Sequence, residues 1–128
     1  MKNLKVHELQ LLAEERYGDA KELYHVNRYG GAFYLCGYAI EFGLKKKICA
    51  TLGWDEYTGD GKYKFLKTHD FEILLHFSGV EREVKTSFWS EWSAVTKWNP
   101  EKRYSSVKPT EQDVKLLLDA TETLLRIL

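Results

Sequence analysis

The stretch from Arg28 to about Leu52 is apolar around most of the circumference that a helix would present. Small side chains recur in it at helical spacing, at positions i, i+4, i+7 and i+11: Ala32, Cys36, Ala39 and Gly43. Such a helix has to be covered by other elements, and its small-residue stripe lets another helix approach closely. Glycine inside a helix costs about 1 kcal/mol relative to alanine, so the glycines here indicate close packing that compensates. We predict that this is the central helix and that the small-residue stripe serves either helix packing or a dimer contact.

Amphipathic segments precede and follow this central helix. Residues from about Val6 to Val26 place apolar side chains at helical spacing and charges on the opposite face, which predicts a first helix. Asn27 is the expected N-cap of the central helix, and Gly53 is its expected C-terminal stop. The later segments are expected in this order: a loop or short hairpin over 54–67, a third helix ending near Ser78-Gly79, a fourth over about 81–97 ended by Asn99-Pro100, and a last helix starting at Thr110 and Asp113. Together these segments predict an all-α protein, an up-and-down bundle of four to five helices in one domain over residues 1–128.

The charge balance of the chain is even, with 19 lysines and arginines against 19 aspartates and glutamates in 128 residues. No global field therefore attracts a polyanion, and any affinity for nucleic acid has to come from a local patch. The richest apolar run, Ala32–Ile40, is far shorter than the ~20 residues that span a bilayer, and the first residues are polar, unlike a signal peptide. We therefore expect a cytoplasmic protein with no membrane partner.

The two cysteines, Cys36 and Cys49, both fall on the predicted central helix. Their spacing along a helix separates them by ~20 Å, which excludes a disulfide between them. There is no Cys-x-x-Cys pair to bind zinc, and the four histidines do not have metal-ligand spacing. The sequence predicts no metal site and no cofactor, and it predicts two thiols that act as small core residues.

The central helix also carries a pattern that is known from a protein family. Its residues Arg28–Glu41, followed by Leu44-Lys45, resemble the second helix of HEPN domains, which typically reads aYyLaGYAvE-xxLK. Three other segments fit the same family in the correct order: the first-helix positions Ala13, Arg16, Asp19, Ala20 and Leu23, the third-helix start Thr68–Phe71, and the segment Trp98–Tyr104 ahead of the last helix. The resemblance covers nearly the whole chain.

The resemblance to HEPN domains implies a bundle of four to five helices that commonly forms a homodimer. Members of that family act on or beside RNA and nucleotides. Some are metal-independent ribonucleases and toxins, and many are encoded as partners of small nucleotidyltransferases. An aromatic content of 14%, with four tryptophans, also favours a buried interface. The expected partners are therefore a second copy of the chain, RNA or a nucleotide, and a minimal nucleotidyltransferase.

The family's ribonucleases carry an arginine, four to six intervening residues and then a histidine, near the loop before the last helix. The arginine neutralises the phosphate, while the histidine activates the ribose hydroxyl or protonates the leaving group. Arg103 stands at the corresponding place, but no histidine follows it within this spacing, and Lys108 is a poor proton shuttle at neutral pH. We predict a non-catalytic domain, with a ribonuclease that uses Arg103 without the usual histidine as the alternative.

The stretch from Lys97 to Lys108 is the first candidate binding surface. Its local charge is +3, from four basic side chains against one acid: Lys97, Lys102, Arg103, Lys108 and Glu101. Trp98 and Tyr104 lie between these charges, and a basic, aromatic loop holds phosphates while it stacks bases. The alternative is that Trp98 and Tyr104 plug the end of the bundle while the charges are only solvated.

Glu41 and Lys45, one turn apart on the most apolar helix, form the second candidate. A carboxylate in that setting needs a partner, which is Lys45 itself or an arginine such as Arg16 or Arg103. The sharper hypothesis is that Glu41, Lys45 and Arg103 line one polar pocket for a nucleotide. His69 is a further candidate binding residue, for which a turn or capping contact with the neighbouring Asp70 or a backbone carbonyl is the simpler prediction.

Overall fold

Most of the residues that the computed structural model describes, 3–99 and 108–128, lie in helices. The elements follow in this order: β1 (Leu4–Lys5), α1 (Val6–His25), α2 (Tyr29–Leu52), β2 (Glu56–Tyr57), a 3₁₀ helix (Gly61–Leu66), α3 (Phe71–Ser78), α4 (Glu81–Ser87), α5 (Trp89–Val95) and α6 (Glu111–Leu125). The two strands pair with each other and contribute two residues each. The all-α class is confirmed, but these residues hold six α-helices where four to five were expected.

The helix α2 lies at the centre of the packing and contacts α1, α3 and α6. Its side chains Ile40, Leu44 and Ile48 are fully buried, as expected for the most apolar segment. Gly53 ends the helix with a φ of 70°, in the left-handed region that glycine adopts without steric cost. Neither α2 nor any other helix of the described residues is long and apolar enough to cross a membrane.

The small-residue stripe of α2 packs inside the chain, against α6. Cys36 Sγ donates a 3.2 Å hydrogen bond to Thr121 Oγ1, and a Cβ on Gly43 would lie 2.8 Å from Leu125 Cδ2. The remaining members of the stripe are fully buried as well: Ala32 and Ala39. Of the two roles considered for the stripe, packing within the chain accounts for its burial, so the stripe is not a surface for a second copy.

The turn between α1 and α2 differs from the prediction. Asn27 is not the N-cap of α2, because Arg28 occupies that position, without a side-chain capping hydrogen bond. Asn27 instead has a φ of 64°, and its Oδ1 accepts a 2.9 Å hydrogen bond from the Tyr29 hydroxyl. Only residues 26–28 connect the two helices, so the chain reverses within a very short segment. Asparagine is one of the few residues besides glycine that tolerate the left-handed conformation this requires.

The predicted fourth helix is divided into α4 and α5 at Phe88, whose φ of −129° and ψ of 34° are not helical. The helix α4 packs against α3, whereas α5 packs against α6. Val84 and Trp92 are buried on either side of the break. The apolar spacing therefore continues across Phe88, which is why it predicted one helix.

The strands β1 and β2 form what we call the clasp, an antiparallel ladder that joins the start of α1 to the segment after α2. Leu4 pairs with Tyr57, and Lys5 pairs with Glu56. The loop or hairpin predicted over 54–67 thus contains β2 and the 3₁₀ helix, but the partner of its strand lies near the N-terminus. Two-residue strands have no alternation of apolar and polar residues for sequence reasoning to detect.

The helix α6 begins at the predicted pair of capping residues. Thr110 Oγ1 accepts a 3.1 Å hydrogen bond from the Asp113 N–H, and the Asp113 carboxylate accepts a 2.9 Å hydrogen bond from the Thr110 N–H. This reciprocal arrangement satisfies N–H groups that the first turn of a helix leaves without partners.

Cys36 and Cys49 are free and buried, as predicted for core residues. Burial raises the pKa of the Cys36 thiol to about 12 and that of the Cys49 thiol to about 11. Both thiols therefore stay protonated and unreactive in the folded protein at neutral pH.

We expect the free energy of unfolding to fall as the pH rises above 9, the ordinary pKa of a thiol. Above pH 9 the thiols of the unfolded chain ionise, while those of the folded chain keep their protons. Below that pH neither state loses thiol protons, so the full stability is present. Each buried thiol removes up to about 1.4 kcal/mol per pH unit in this window. Urea denaturation at pH 8 and at about pH 10 measures the decline. Cys36→Ala should make it shallower, and an unchanged slope in that variant would contradict the role of Cys36.

Candidate functional site

A groove with a volume of about 760 Å³ opens where the α1–α2 turn meets the end of α5 and the start of α6. Its lining residues come from three parts of the described chain, within 27–34, 94–99 and 108–117. Sites for small ligands typically have volumes of ~300–1,000 Å³, so the groove has the size of a ligand site. We call it the basic groove after the charged side chains in its lining: Arg28, Lys97, Lys108 and Asp113.

The basic groove is a positive region on a chain whose formal net charge is zero. Among the described residues, three cations against one carboxylate give its lining a charge of +2. The carboxylate belongs to Asp113, which caps the first turn of α6. Lys97 and Lys108 come from the basic stretch that the sequence singles out, whereas Arg28 was not predicted as a site residue. Its position beside that stretch depends on tertiary packing, for which the sequence order carries no signal.

Aromatic side chains from the first turns of α2 form one wall of the basic groove: Tyr29, Phe33 and Tyr34. Tyr34 packs edge-to-face on Tyr38, one turn further along the helix, with ring centroids 4.9 Å apart. The Tyr29 hydroxyl is held by Asn27 in the turn. The groove therefore combines cationic side chains with several ring surfaces at one end of the bundle.

Trp98 has a structural role beneath this wall. It is 6% exposed, and its Nε1 donates a 3.2 Å hydrogen bond to the backbone carbonyl of Tyr34. Its indole stacks on Phe71 with ring centroids 5.2 Å apart and lies directly against the backbone of Gly37. Trp98 is therefore a packed, buried side chain and not a stacking surface for a ligand. This agrees with the Trp98 part of the alternative prediction, while Tyr104 lies outside the described residues.

Three candidate residues of the same stretch, Lys102, Arg103 and Tyr104, lie outside the described residues. The hypothesis that Arg103 shares a polar pocket with Glu41 and Lys45 therefore depends on a residue outside the described ones. The described residues on either side of this segment, Asn99 and Lys108, both line the basic groove.

Glu41 is the centre of a second polar site, which we call the Glu41 cluster: Glu41, Lys45, His69 and Tyr57. The Glu41 carboxylate is buried, with its side chain 3% exposed. Its Oε2 accepts a 2.9 Å hydrogen bond from Lys45 Nζ, which is the expected pair at i and i+4, and its Oε1 lies 2.6 Å from His69 Nδ1. Lys45 Nζ also lies 5.2 Å from the centroid of the Tyr57 ring. Burial and the nearby Glu41 charge raise the pKa of Tyr57.

The contact between His69 and Glu41 corrects the simpler prediction for His69. Asp70 does not pair with His69; its carboxylate caps α3, accepting a 2.9 Å hydrogen bond from the Glu72 N–H. Because Asp70 starts α3 beside α2, the preceding residue is carried over the buried carboxylate of Glu41. A buried carboxylate needs more than one donor to compensate for its desolvation, and His69 supplies the second.

The basic groove and the Glu41 cluster lie along one face of α2. Tyr34, Tyr38, Glu41 and Lys45 occupy positions i, i+4, i+7 and i+11, which fall on the same side of a helix. The Tyr34 and Tyr38 hydroxyls are 3.1 Å apart, and the Tyr38 ring packs edge-to-face against His69 with centroids 6.0 Å apart. A continuous row of side chains therefore connects the two sites.

No group of three or more potential metal ligands occurs among residues 3–99 and 108–128. No protein-family model, characterised protein or solved structure matches the chain.

Proposed function

We propose that the chain is a non-catalytic HEPN-type domain that binds single-stranded RNA or a nucleotide in the basic groove. The observation that carries this proposal is the meeting of Arg28, Lys97 and Lys108 with the rings of Tyr29 and Tyr34 in one groove. Guanidinium and ammonium groups pair with phosphate oxygens, and aromatic rings stack on bases whatever their sequence. A nucleotide presents both of these features within one small ligand.

The charge distribution supports the same ligand class. With a net charge of zero over the whole chain, long-range attraction does not draw polyanions to the protein in general. The local excess of +2 in the groove lining then selects where a phosphate binds. The first turn of α2 adds to this field, since residues 29–31 line the groove and a helix carries partial positive charge at its N-terminus.

The proposal specifies binding without cleavage. Among the described residues that line the basic groove there is no histidine, the side chain that most often transfers protons near neutral pH. The Arg103 motif also has no histidine at the family's spacing. A ribonuclease that uses Arg103 alone is the alternative, and the RNA recovered from a binding reaction distinguishes the two. Intact RNA is expected, whereas fragments that disappear with Arg103→Ala would support the alternative.

The binding test is fluorescence anisotropy with a labelled single-stranded RNA, comparing the wild type with the double variant Arg28→Ala/Lys108→Ala. Loss of two phosphate contacts is expected to weaken binding at least about tenfold. The slope of log affinity against log salt should become shallower by about 1.4, since each single-strand phosphate contact contributes about 0.7.

Lys115→Ala is the matched control, because Lys115 is an exposed lysine of α6 that does not line the groove and pairs with Asp119 at 3.4 Å. This variant removes a positive charge from the same end of the chain and should bind within about twofold of the wild type. Equal losses from Lys115→Ala and the double variant would mean that binding is unspecific, and the basic groove would not be the site.

Self-association is the second part of the proposal. Its support is the sequence resemblance together with large apolar side chains that are exposed in the single chain, namely Trp89, Phe65 and Phe77. Phe65 and Phe77 contact each other with ring centroids 5.0 Å apart, and exposed apolar clusters often mark protein contacts. Light scattering is expected to give a molar mass of twice 15.0 kDa. A minimal nucleotidyltransferase is the alternative partner. We favour self-association because the basic groove matches a nucleotide directly, without a nucleotidyltransferase.

A further inference from the structure

We infer that the ligand of the basic groove is a single-stranded RNA whose backbone leaves the groove along α2 and contacts His69, and not a free mononucleotide. This inference rests on the proposed function of the groove. It assigns a second contact point, the imidazole of His69, which is not part of the groove lining.

Side chains that contact one another connect the basic groove to His69. Tyr34 lines the basic groove, Tyr38 follows one turn later, and the Tyr38 ring lies against His69 at 6.0 Å between centroids. From Tyr34 to Glu41 the helix rises about 10 Å, a short distance for an extended strand. A chain of nucleotides that enters the groove therefore reaches His69 along side chains that already contact one another.

The orientation of the His69 imidazole leaves one ring nitrogen for a ligand. His69 Nδ1 faces the Glu41 carboxylate at 2.6 Å, and the His69 side chain is 57% exposed while that of Glu41 is 3% exposed. Within residues 3–99 and 108–128, His69 Nε2 has no hydrogen-bond partner. A carboxylate at Nδ1 keeps that nitrogen protonated, so Nε2 is the nitrogen left for an outside group. The buried carboxylate thus fixes the ring and directs its free nitrogen to a ligand.

The charged side chains around His69 offset one another within the part of the chain that the structure describes. From α2, Lys45 offsets Glu41 through their ion pair, and Tyr38 packs on the ring. From its own segment, Lys67 and Asp70 offset each other in formal charge, and from β2 the Tyr57 ring lies against Lys45. The formal charges of these described neighbours cancel, so they do not oppose a phosphate at the imidazole. A protonated Nε2 is then a charge-assisted donor to a phosphate.

The test compares two probes, a labelled single-stranded oligoribonucleotide of about ten nucleotides, within the usual site size of such proteins, and labelled adenosine 5′-monophosphate. At pH 6, His69→Ala is expected to weaken binding of the oligoribonucleotide about five- to tenfold and that of the mononucleotide less than twofold.

Two further variants sharpen the result. His76→Ala is the matched control, because His76 is 64% exposed and its Nδ1 lies 3.2 Å from a glutamate, Glu81; it should leave both probes unaffected. His69→Gln retains a polar side chain beside Glu41 but cannot be protonated. It should therefore weaken binding of the oligoribonucleotide at pH 6 as His69→Ala does.

Each outcome decides the inference. If His69→Ala matches His76→Ala while Arg28→Ala/Lys108→Ala still loses affinity, the strand does not reach His69, and the proposed function survives. If His69→Ala weakens both probes equally, His69 acts on the groove as a whole, and the inference is overturned. If neither probe binds the wild type, the proposed function fails together with the inference.

Discussion

Replacing Gly37 with alanine is expected to destabilise the fold by about 2–3 kcal/mol. A Cβ at this position would overlap the Trp98 indole, at its Cε2, Cδ2 and Nε1 atoms. The indole cannot move aside freely, because it is held by stacking on Phe71 and by its hydrogen bond to the Tyr34 carbonyl. Overpacking and partial loss of Trp98 exceed the ~1 kcal/mol that alanine gains over glycine in a helix. Urea denaturation followed by tryptophan fluorescence measures the shift in midpoint.

Gly18→Ala provides the matched control. Gly18 also lies within a helix, but no neighbouring atom of the described residues comes within 4 Å of the position that a Cβ would take there. That substitution should be neutral or stabilising by up to about 1 kcal/mol. A Gly37→Ala midpoint equal to that of Gly18→Ala would show that the contact between Trp98 and α2 is not close in solution.

Glu41→Gln is expected to destabilise the protein by about 2 kcal/mol. Removing one member of a buried ion pair costs about 3–5 kcal/mol when the partner stays buried. Here the remaining partners reach water in part, since the side chains of Lys45 and His69 are 15% and 57% exposed, which reduces the expected loss. The NH2 group of the glutamine amide would also face either Lys45 or His69, and both of these side chains donate to Glu41. Chemical denaturation at neutral pH measures the difference.

Glu122→Gln tests whether burial causes this effect. Glu122 pairs with Arg126 at 3.0 Å with the same i and i+4 spacing, but both side chains are more than half exposed. Exposed pairs contribute little, so the expected change is less than about 0.5 kcal/mol. If Glu41→Gln cost no more than Glu122→Gln, the Glu41 cluster would be an ordinary surface pair, and it would not hold His69 rigidly.

Features governed by local sequence were predictable. The C-terminal stop at Gly53 and the capping residues Thr110 and Asp113 depend on the conformations and hydrogen bonds of a few adjacent residues, and the structure has them at the predicted positions. The central position of α2 followed from its apolar circumference, because a helix without a polar face has to be covered. The ion pair of Glu41 with Lys45 was one of the two kinds of partner that the sequence offered for Glu41, and it is the one that depends on local spacing.

Features that depend on residues distant in sequence were not predictable. His69 contacts Glu41 across 28 positions, and Arg28 meets Lys97 and Lys108 only because α5 and α6 end beside the α1–α2 turn. The division at Phe88 is likewise set by the different partners of α4 and α5, while the apolar spacing there continues unchanged. Neither composition nor periodicity carries information about these distances. The sequence therefore identified the basic stretch from Lys97 to Lys108 and the pair of Glu41 with Lys45 as candidate sites, but not how they are arranged in space.

Because of the clasp, the helices α1 and α2 are connected to each other at both ends. One end is shut by the three-residue turn at Asn27 and the other by the pairing of β1 with β2. Helices of 20 and 24 residues span about 30–36 Å, so the two closures lie far apart. Sliding of one helix along the other would have to break the ladder or reopen the turn. The groove wall formed by residues 27–34 is thereby kept in register by hydrogen bonds at the opposite end of the bundle.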